Sequence, residues 1–179
     1  MTAITVRVLG EEDWQDYRDV RLSALQDSPE AFIRTYEEES GYDEELWRAR
    51  MRRSHRLLAT SEGQAIGTAS VGGVPEEPQA ADLFGLWVAP KARHGGAAWR
   101  LVESAAELAA RDGYTQLIYW VSTENGRGIA FASNFGFRLT SRRRPTRVHN
   151  EEFGDQEIAF IYSLEGDPAE VPNVSSGRH

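Results

Sequence analysis

Residues 80–111 read AADLFGLWVAPKARHGGAAWRLVESAAELAAR. The apolar run from Leu83 to Val88 predicts a strand, Pro90 breaks it, and Gly95, Gly96, Ala97 and Ala98 make a small-residue junction. Beyond the junction Ala97, Leu101, Ala105, Leu108 and Ala109 recur at helical spacing, so the stretch is a strand, a tight loop and a helix.

The start of a helix carries several backbone N–H groups with no partner inside the helix, and the aligned peptide dipoles add partial positive charge there. Small residues let an anion approach that backbone, and Arg93 offers a permanent charge with a planar fork of donors. The junction therefore suits a phosphate group. Gly95 and Gly96 equally suit a plain tight turn with Arg93 in solvent, and the spacing alone leaves both open. No Gly-Lys-Ser/Thr follows, which excludes a Walker loop, and Arg93 stands where a dinucleotide fingerprint needs its first glycine.

Upstream, Ile4, Val6 and Val8 alternate with polar residues as a first strand, and Asp13 opens a helix carrying Trp14, Tyr17, Arg21 and Leu25. Ser28 and Pro29 start a second, short helical piece through Ala31 and Phe32. Glu37 to Glu39 with Gly41 mark a surface connection, and Tyr42 to Arg53 form another helix. His55 to Thr60 and Gln64 to Val71 make a hairpin, followed by a loop over Gly72-Gly73 and Pro75 to Pro78. Downstream, Asp112-Gly113 ends the central helix. Leu117 to Val121 is the next strand, parallel to the first through a right-handed crossover. Ser122 to Phe135 forms a helix and Gly136-Phe137 begins a strand. Arg138 to Val148, with the run Arg142-Arg143-Arg144, is a strand end or hairpin loop, and Glu157 to Leu164 is the last strand. The arginine run is read as a solvated face, against an alternative in which one arginine meets a phosphate or an acidic acceptor.

The order β, α, α, β, β, β, α, β, α, β, β is an α+β arrangement on a mixed sheet of six to seven strands flanked by helices. With 179 residues the chain suits one domain, placed at 1–164, and the polar residues 165–179 read as a disordered tail. No secretory signal and no membrane-length apolar run is visible, so the expected location is cytoplasmic. The absence of cysteine excludes disulfides, a thiolate zinc site and a cysteine acyl-enzyme. The four histidines show no ligand spacing, so no metal is expected. A net charge of −8 argues against a nucleic-acid partner and is compatible with cationic amines, although solubility explains it as well.

Arg93-His94-Gly95-Gly96-Ala97-Ala98 resembles the Q/R-x-x-G-x-G/A signature of the GNAT acyltransferases, and Leu86-Trp87-Val88-Ala89-Pro90 looks like the strand end before it. A second motif of that family, N-x-x-A-x-x-x-Y-x-x-x-G-F, is matched at Asn125, Gly136 and Phe137. Gly128 stands where alanine is usual, and Ala132 where many members carry tyrosine. The resemblance spans about residues 3 to 164 and implies acetyl-CoA as cosubstrate. It implies that the backbone of Leu86, Trp87 and Val88 pairs with the pantetheine arm. It likewise implies that amides from Arg93, His94, Gly95, Gly96, Ala97 and Ala98 hold the pyrophosphate, with Asn125 bonding the cofactor from the other side. Asn125 is equally suited to capping a helix.

For the chemistry, Asp82 corresponds to a strand position where some members carry a glutamate base; its alternative is an exposed carboxylate. A second family base position falls on Trp120, which cannot serve, and this counts against a peptide N-terminus as acceptor. Ala132 removes the usual acid, and Tyr119 and Ser122 are further candidates. Tyr36, Tyr42 and Trp47 are either acceptor contacts or core. The leading expectation is an acetyl-CoA-dependent N-acetyltransferase acting on a small-molecule amine by direct transfer in a ternary complex. A protein or peptide N-acetyltransferase and a catalytically inactive acyl-CoA-binding module are the alternatives, and a homodimer is compatible with the resemblance.

Overall fold

The computed structural model describes residues 3–146 and 156–165. Seven strands form one sheet: β1 (Ile4–Leu9), β2 (His55–Ser61), β3 (Gln64–Val74), β4 (Glu77–Val88), β5 (Gln116–Ser122), β6 (Arg138–Pro145) and β7 (Gln156–Ser163). Their order is β1-β2-β3-β4-β5-β7-β6, with β4 and β5 parallel and every other neighbouring pair antiparallel. The helices are α1 (Trp14–Asp27), α2 (Tyr36–Ser40), α3 (Glu44–Arg53), α4 (Ala97–Arg111) and α5 (Gly126–Phe135). The expected α+β mixed sheet is the fold.

Period-two alternation divides the sheet into two cores. On one face Leu57, Ala69, Leu83 and Leu117 pack against Leu101, Ala105 and Leu108 of α4, with Ala132 of α5 in the same cluster. On the other face Leu58 and Trp87 meet Tyr17 and Val20 of α1 and Trp47 of α3. Trp47 is fully buried, with its ring 5.9 Å from that of Tyr17, so it is core and not an acceptor contact.

Several local expectations change. The piece after Ser28 is a single 3-10 turn, Pro29–Ala31, because Phe32 returns to extended backbone. The expected surface connection at residues 37–41 is helix α2, capped by the Thr35 hydroxyl, and its Glu39 is fully buried between Arg21 and Arg50. Strand β4 begins at Glu77, which shrinks the proline loop to a tight turn. Helix α5 begins only at Gly126, since Ser122 still pairs with Glu157 in the sheet and Asn125 is the cap. The arginine run is an edge strand with partners: Arg142 meets Glu77 and Arg144 meets Glu157, each at 2.9 Å. The tail expected at 165–179 lies, beyond residue 165, outside the described residues. No helix is long and apolar enough to cross a membrane among the described residues.

Candidate active site at the parting of two strands

Strands β4 and β5 pair only from Ala80 and Gln116 to Leu83 and Tyr119, and then both run on unpaired to each other. The cause lies on the other edge of β4. Ser70 faces Phe84 but Thr68 faces Trp87, so three steps on β4 oppose two on β3. This one-residue bulge bends β4 away from β5. Gly85 makes it possible: its φ of +63° is a left-handed conformation that side chains with a Cβ rarely adopt. Past Leu83, the edge of β4 that would have met β5 faces an opening. That opening leads to a cavity of about 940 Å³ lined by Asp82, Leu86, Trp120, Asn125 and Arg56 among others. A smaller cavity of about 230 Å³, at His55 and Asp112, lies apart from the opening.

The loop after β4 presents backbone donors. Pro90–Ala92 form a 3-10 turn, and the amides of Arg93 and Gly95 close bonds inside the loop to Pro90 and Ala92. His94 (φ 69°) and Gly96 (φ 91°) are both left-handed, and Gly96 caps α4. Alternating conformations of this kind turn successive N–H groups to one side as a nest for an anion, here reinforced by the α4 dipole. Among the described residues, and apart from those beside it in the chain, no heavy atom lies within 4 Å of where a Cβ on Gly96 would stand, so the nest is open there. Arg93, His94, Gly95 and Gly96 are exposed, while Ala97 is buried under the loop and Ala98 is half-buried.

Arg93 is placed differently from a free phosphate ligand. Its Nε donates to the Val88 carbonyl and its Nη2 to Asp27, both at 3.0 Å. The Trp87 indole N–H donates to the same Asp27 carboxylate at 3.0 Å. The Ser28 hydroxyl, then Trp87 and Arg93, hold the Asp27 carboxyl below its ordinary value. This latch joins the end of α1 to the end of β4 and the loop. Sequence reasoning missed Asp27, whose partners stand 60 and 66 residues away and leave no local signal.

Asp82 is half-buried, opposite Ile118 in register, on the face of the sheet that also carries Phe84 and Trp120. Trp120 lies under Arg144, whose guanidinium carbon is 4.2 Å from a ring centroid, and Arg144 pairs with Glu157. Asn125 Oδ1 accepts from the Gly128 amide at 3.0 Å and so caps α5, while the residue also lines the cavity. The glycine at position 128 follows from this: a Cβ there would stand 2.8 Å from Asn125 Nδ2 and 2.9 Å from Val121 Cγ1. Ala132 is fully buried. On the same face Tyr119 lines the opening with its ring 6.0 Å from Phe137, and burial pushes its phenol up to about 12.

At the far side of the cavity stands a residue to which the sequence drew no attention. Arg56 on β2 is 2% exposed, and burial, with the nearby charges of Arg50, Arg53 and Arg21, pushes its guanidinium down to about 10. Its Nε and Nη2 donate to the Arg50 carbonyl and its Nη1 to Ser70 Oγ. Tyr17 and Phe84 flank it, with centroids at 4.8 and 5.5 Å. The available signal was an arginine directly before the apolar run Leu57-Leu58-Ala59.

A strand edge without a partner accepts an extended amide-bearing chain, and an amide nest at a helix start accepts a diphosphate. The two adjoin here, and a carboxylate stands below them. Residues 14–137 match the model of the Acetyltransferase (GNAT) family, which is more than half of the chain. No curated protein matches. Among solved structures, yncA of Salmonella typhimurium, determined with its cofactor acetyl-CoA, superposes with a TM-score of 0.70 at 17% identity over 96% of this chain and 99% of that one. The ribosomal-protein-alanine N-acetyltransferase of Brucella melitensis gives 0.69 at 22% identity over 89% and 99%. An N-acetyltransferase of Staphylococcus aureus gives 0.69 at 16% over 90% and 99%. These likenesses show the fold, and the family match adds the chemistry: the chain belongs to the GNAT family of N-acetyltransferases, which take their acetyl group from acetyl-CoA.

Proposed function

We propose that this enzyme moves the acetyl group directly to the amine of a small molecule while both substrates are bound. The observation that carries the reading is the parting of β4 from β5 directly above a cavity that contains Asp82. Acetyl-CoA, when bound, supplies a thioester carbonyl open to attack by an amine. The amides of His94, Gly96, Ala97 and Ala98 hold its diphosphate, and the free edge of β4 at Leu86, Trp87 and Val88 aligns the arm. Arg93 acts mainly by bracing this loop against Asp27. A backbone N–H near Leu86, beside the bulge, donates to the carbonyl oxygen as charge gathers there.

Asp82 accepts the proton that the amine loses as its nitrogen bonds to the carbonyl carbon. The C–S bond breaks, and the thiolate takes a proton. Ala132 has none to give. Tyr119 is on the same side of the sheet as Ala132, lines the opening and stays protonated at neutral pH, so we assign it that step. A small acceptor, as opposed to a peptide N-terminus, is supported by Trp120 under Arg144 at the second base position, where a peptide enzyme of this kind would carry a glutamate.

Two measurements test the proposal together. Acetyl-CoA should raise the thermal midpoint of the wild type and not that of Gly96→Asp, in which a carboxylate fills the nest. Amine-dependent release of CoA should fall by about 100-fold or more in Asp82→Ala with the acetyl-CoA shift retained. Stabilisation without turnover of any amine would instead identify an acyl-CoA-binding module.

A further inference from the structure

A cation removed from water is costly unless a partner compensates it. Arg56 is 2% exposed, and no carboxylate lies within 4 Å of it among the described residues. The buried carboxylate of Glu39 is engaged elsewhere, since it pairs with Arg21 and Arg50. Of the five N–H bonds of the Arg56 guanidinium, three are used, on the Arg50 carbonyl and Ser70 Oγ. The two left over belong to Nη1 and Nη2, the pair that a carboxylate accepts as a fork. Tyr17 and Phe84 cushion the cation from the sides without neutralising it.

The position of Arg56 is as informative as its state. Arg56, Ser70 and Phe84 are register neighbours across β2, β3 and β4, and Phe84 is the last residue before the bulge that opens the sheet. Two strand spacings, about 10 Å, separate the backbone of Arg56 from that of β4. Both Arg56 and Asp82 line the same cavity. Asp82 stands two residues before Phe84 on the same strand, so one molecule in this cavity can present an anion to Arg56 and an amine to Asp82.

We infer that the acceptor is an amino acid or a close analogue, whose carboxylate pairs with Arg56 while its amine faces Asp82. This rests on the small-amine reading above and narrows it to a substrate class. It also explains how a chain with a net charge of −8 admits an anion: the cavity gathers Arg21, Arg50, Arg53 and Arg56 on one side. A partner that completes the charge balance of Arg56 arrives with the substrate.

The test uses the full chain, acetyl-CoA and a panel of free amino acids set against their carboxamides, with CoA thiol release as readout. For the side chain that is accepted, the free acid should exceed its amide in kcat/KM by about 100-fold, the scale of a lost charge-assisted pair. In Arg56→Met that preference should collapse to a few-fold, with the acetyl-CoA thermal shift unchanged. Acids and amides used alike by the wild type, or lowered alike by Arg56→Met, would overturn the inference. If acetyl-CoA binds and no amine turns over, the transfer reading fails by itself. Calorimetric titration of the same amino acids into the CoA-bound protein then decides the carboxylate site: binding lost in Arg56→Met supports it, and no binding to the wild type overturns it. Should Arg56→Met not fold, Ser70→Ala withdraws the hydroxyl that holds Nη1. It should raise KM for the acid with kcat and amide turnover nearly unchanged, whereas equal losses for acid and amide would count against the site.

Discussion

Two positions show how a single side chain sets the site. In the proposed reaction Tyr119 supplies the proton that the family usually draws from α5; a phenol is protonated at neutral pH, and burial raises its pKa further. Tyr119→Phe keeps the ring against Phe137 and removes only the proton. It should lower kcat by about 100-fold while the acetyl-CoA thermal shift stays as in the wild type. Unchanged kcat would return the proton to water. Gly128 is the second case. Alanine gains up to about 1 kcal/mol of helix propensity over glycine. Here its Cβ would stand under 3 Å from both Asn125 and Val121, and such crowding costs about 1–3 kcal/mol. Gly128→Ala should therefore destabilise the protein in denaturant titration, and a stabilised variant would show that Asn125 moves aside freely.

At the scale of elements, α4 does two jobs with two faces. Its buried stripe, Leu101, Ala105 and Leu108, fastens the helix to β3 and β4, and its first turn lies at the loop where we place the diphosphate. Leu101 is fully buried and Trp99, one turn from the loop, is 40% exposed. Leu101→Ala should cost about 2–5 kcal/mol in the unfolding free energy. An effect below about 1 kcal/mol would mean that α4 is not held by this stripe.

At the scale of the molecule, α1, α2 and α3 are tied by the carboxylate of Glu39, which bonds Arg21 at 3.0 Å and also meets Arg50. Burial raises its pKa, but Arg21 and then Arg50 outweigh that and hold it below the ordinary 4.5. A depressed pKa means stability that is present above the unfolded value and lost as pH falls through the folded one. The wild type should therefore lose stability as acid is added below about pH 4.5, and Glu39→Gln should lose less over that range, having less to lose. At pH 7 the same substitution leaves Arg21 and Arg50 short of a charge and should cost about 3–5 kcal/mol. Identical acid slopes for the two proteins would remove Glu39 from the balance.

The strand, loop and helix of residues 80–111 were legible because each depends on neighbours in sequence: a run of apolar residues, a proline stop, glycines at a turn, an apolar period of about four. The same holds for Asn125 as a cap and for the family motifs that led to acetyl-CoA. Glu39 shows where that legibility ended. Three glutamates in a row before a glycine look solvated, and only the arrival of Arg21 and Arg50 from two other helices makes burial of one of them affordable. Arg56 is the same case in reverse, a buried cation that no carboxylate among the described residues pairs with. Asp27 gained its role from Trp87 and Arg93, and the parting of β4 from β5 from a bulge against β3. Period and propensity are short-range, and they determined the elements and the glycine-rich loop before α4. Charge compensation and strand register are sums over distant contacts, so only the tertiary structure decided which charges are paired and where the sheet opens.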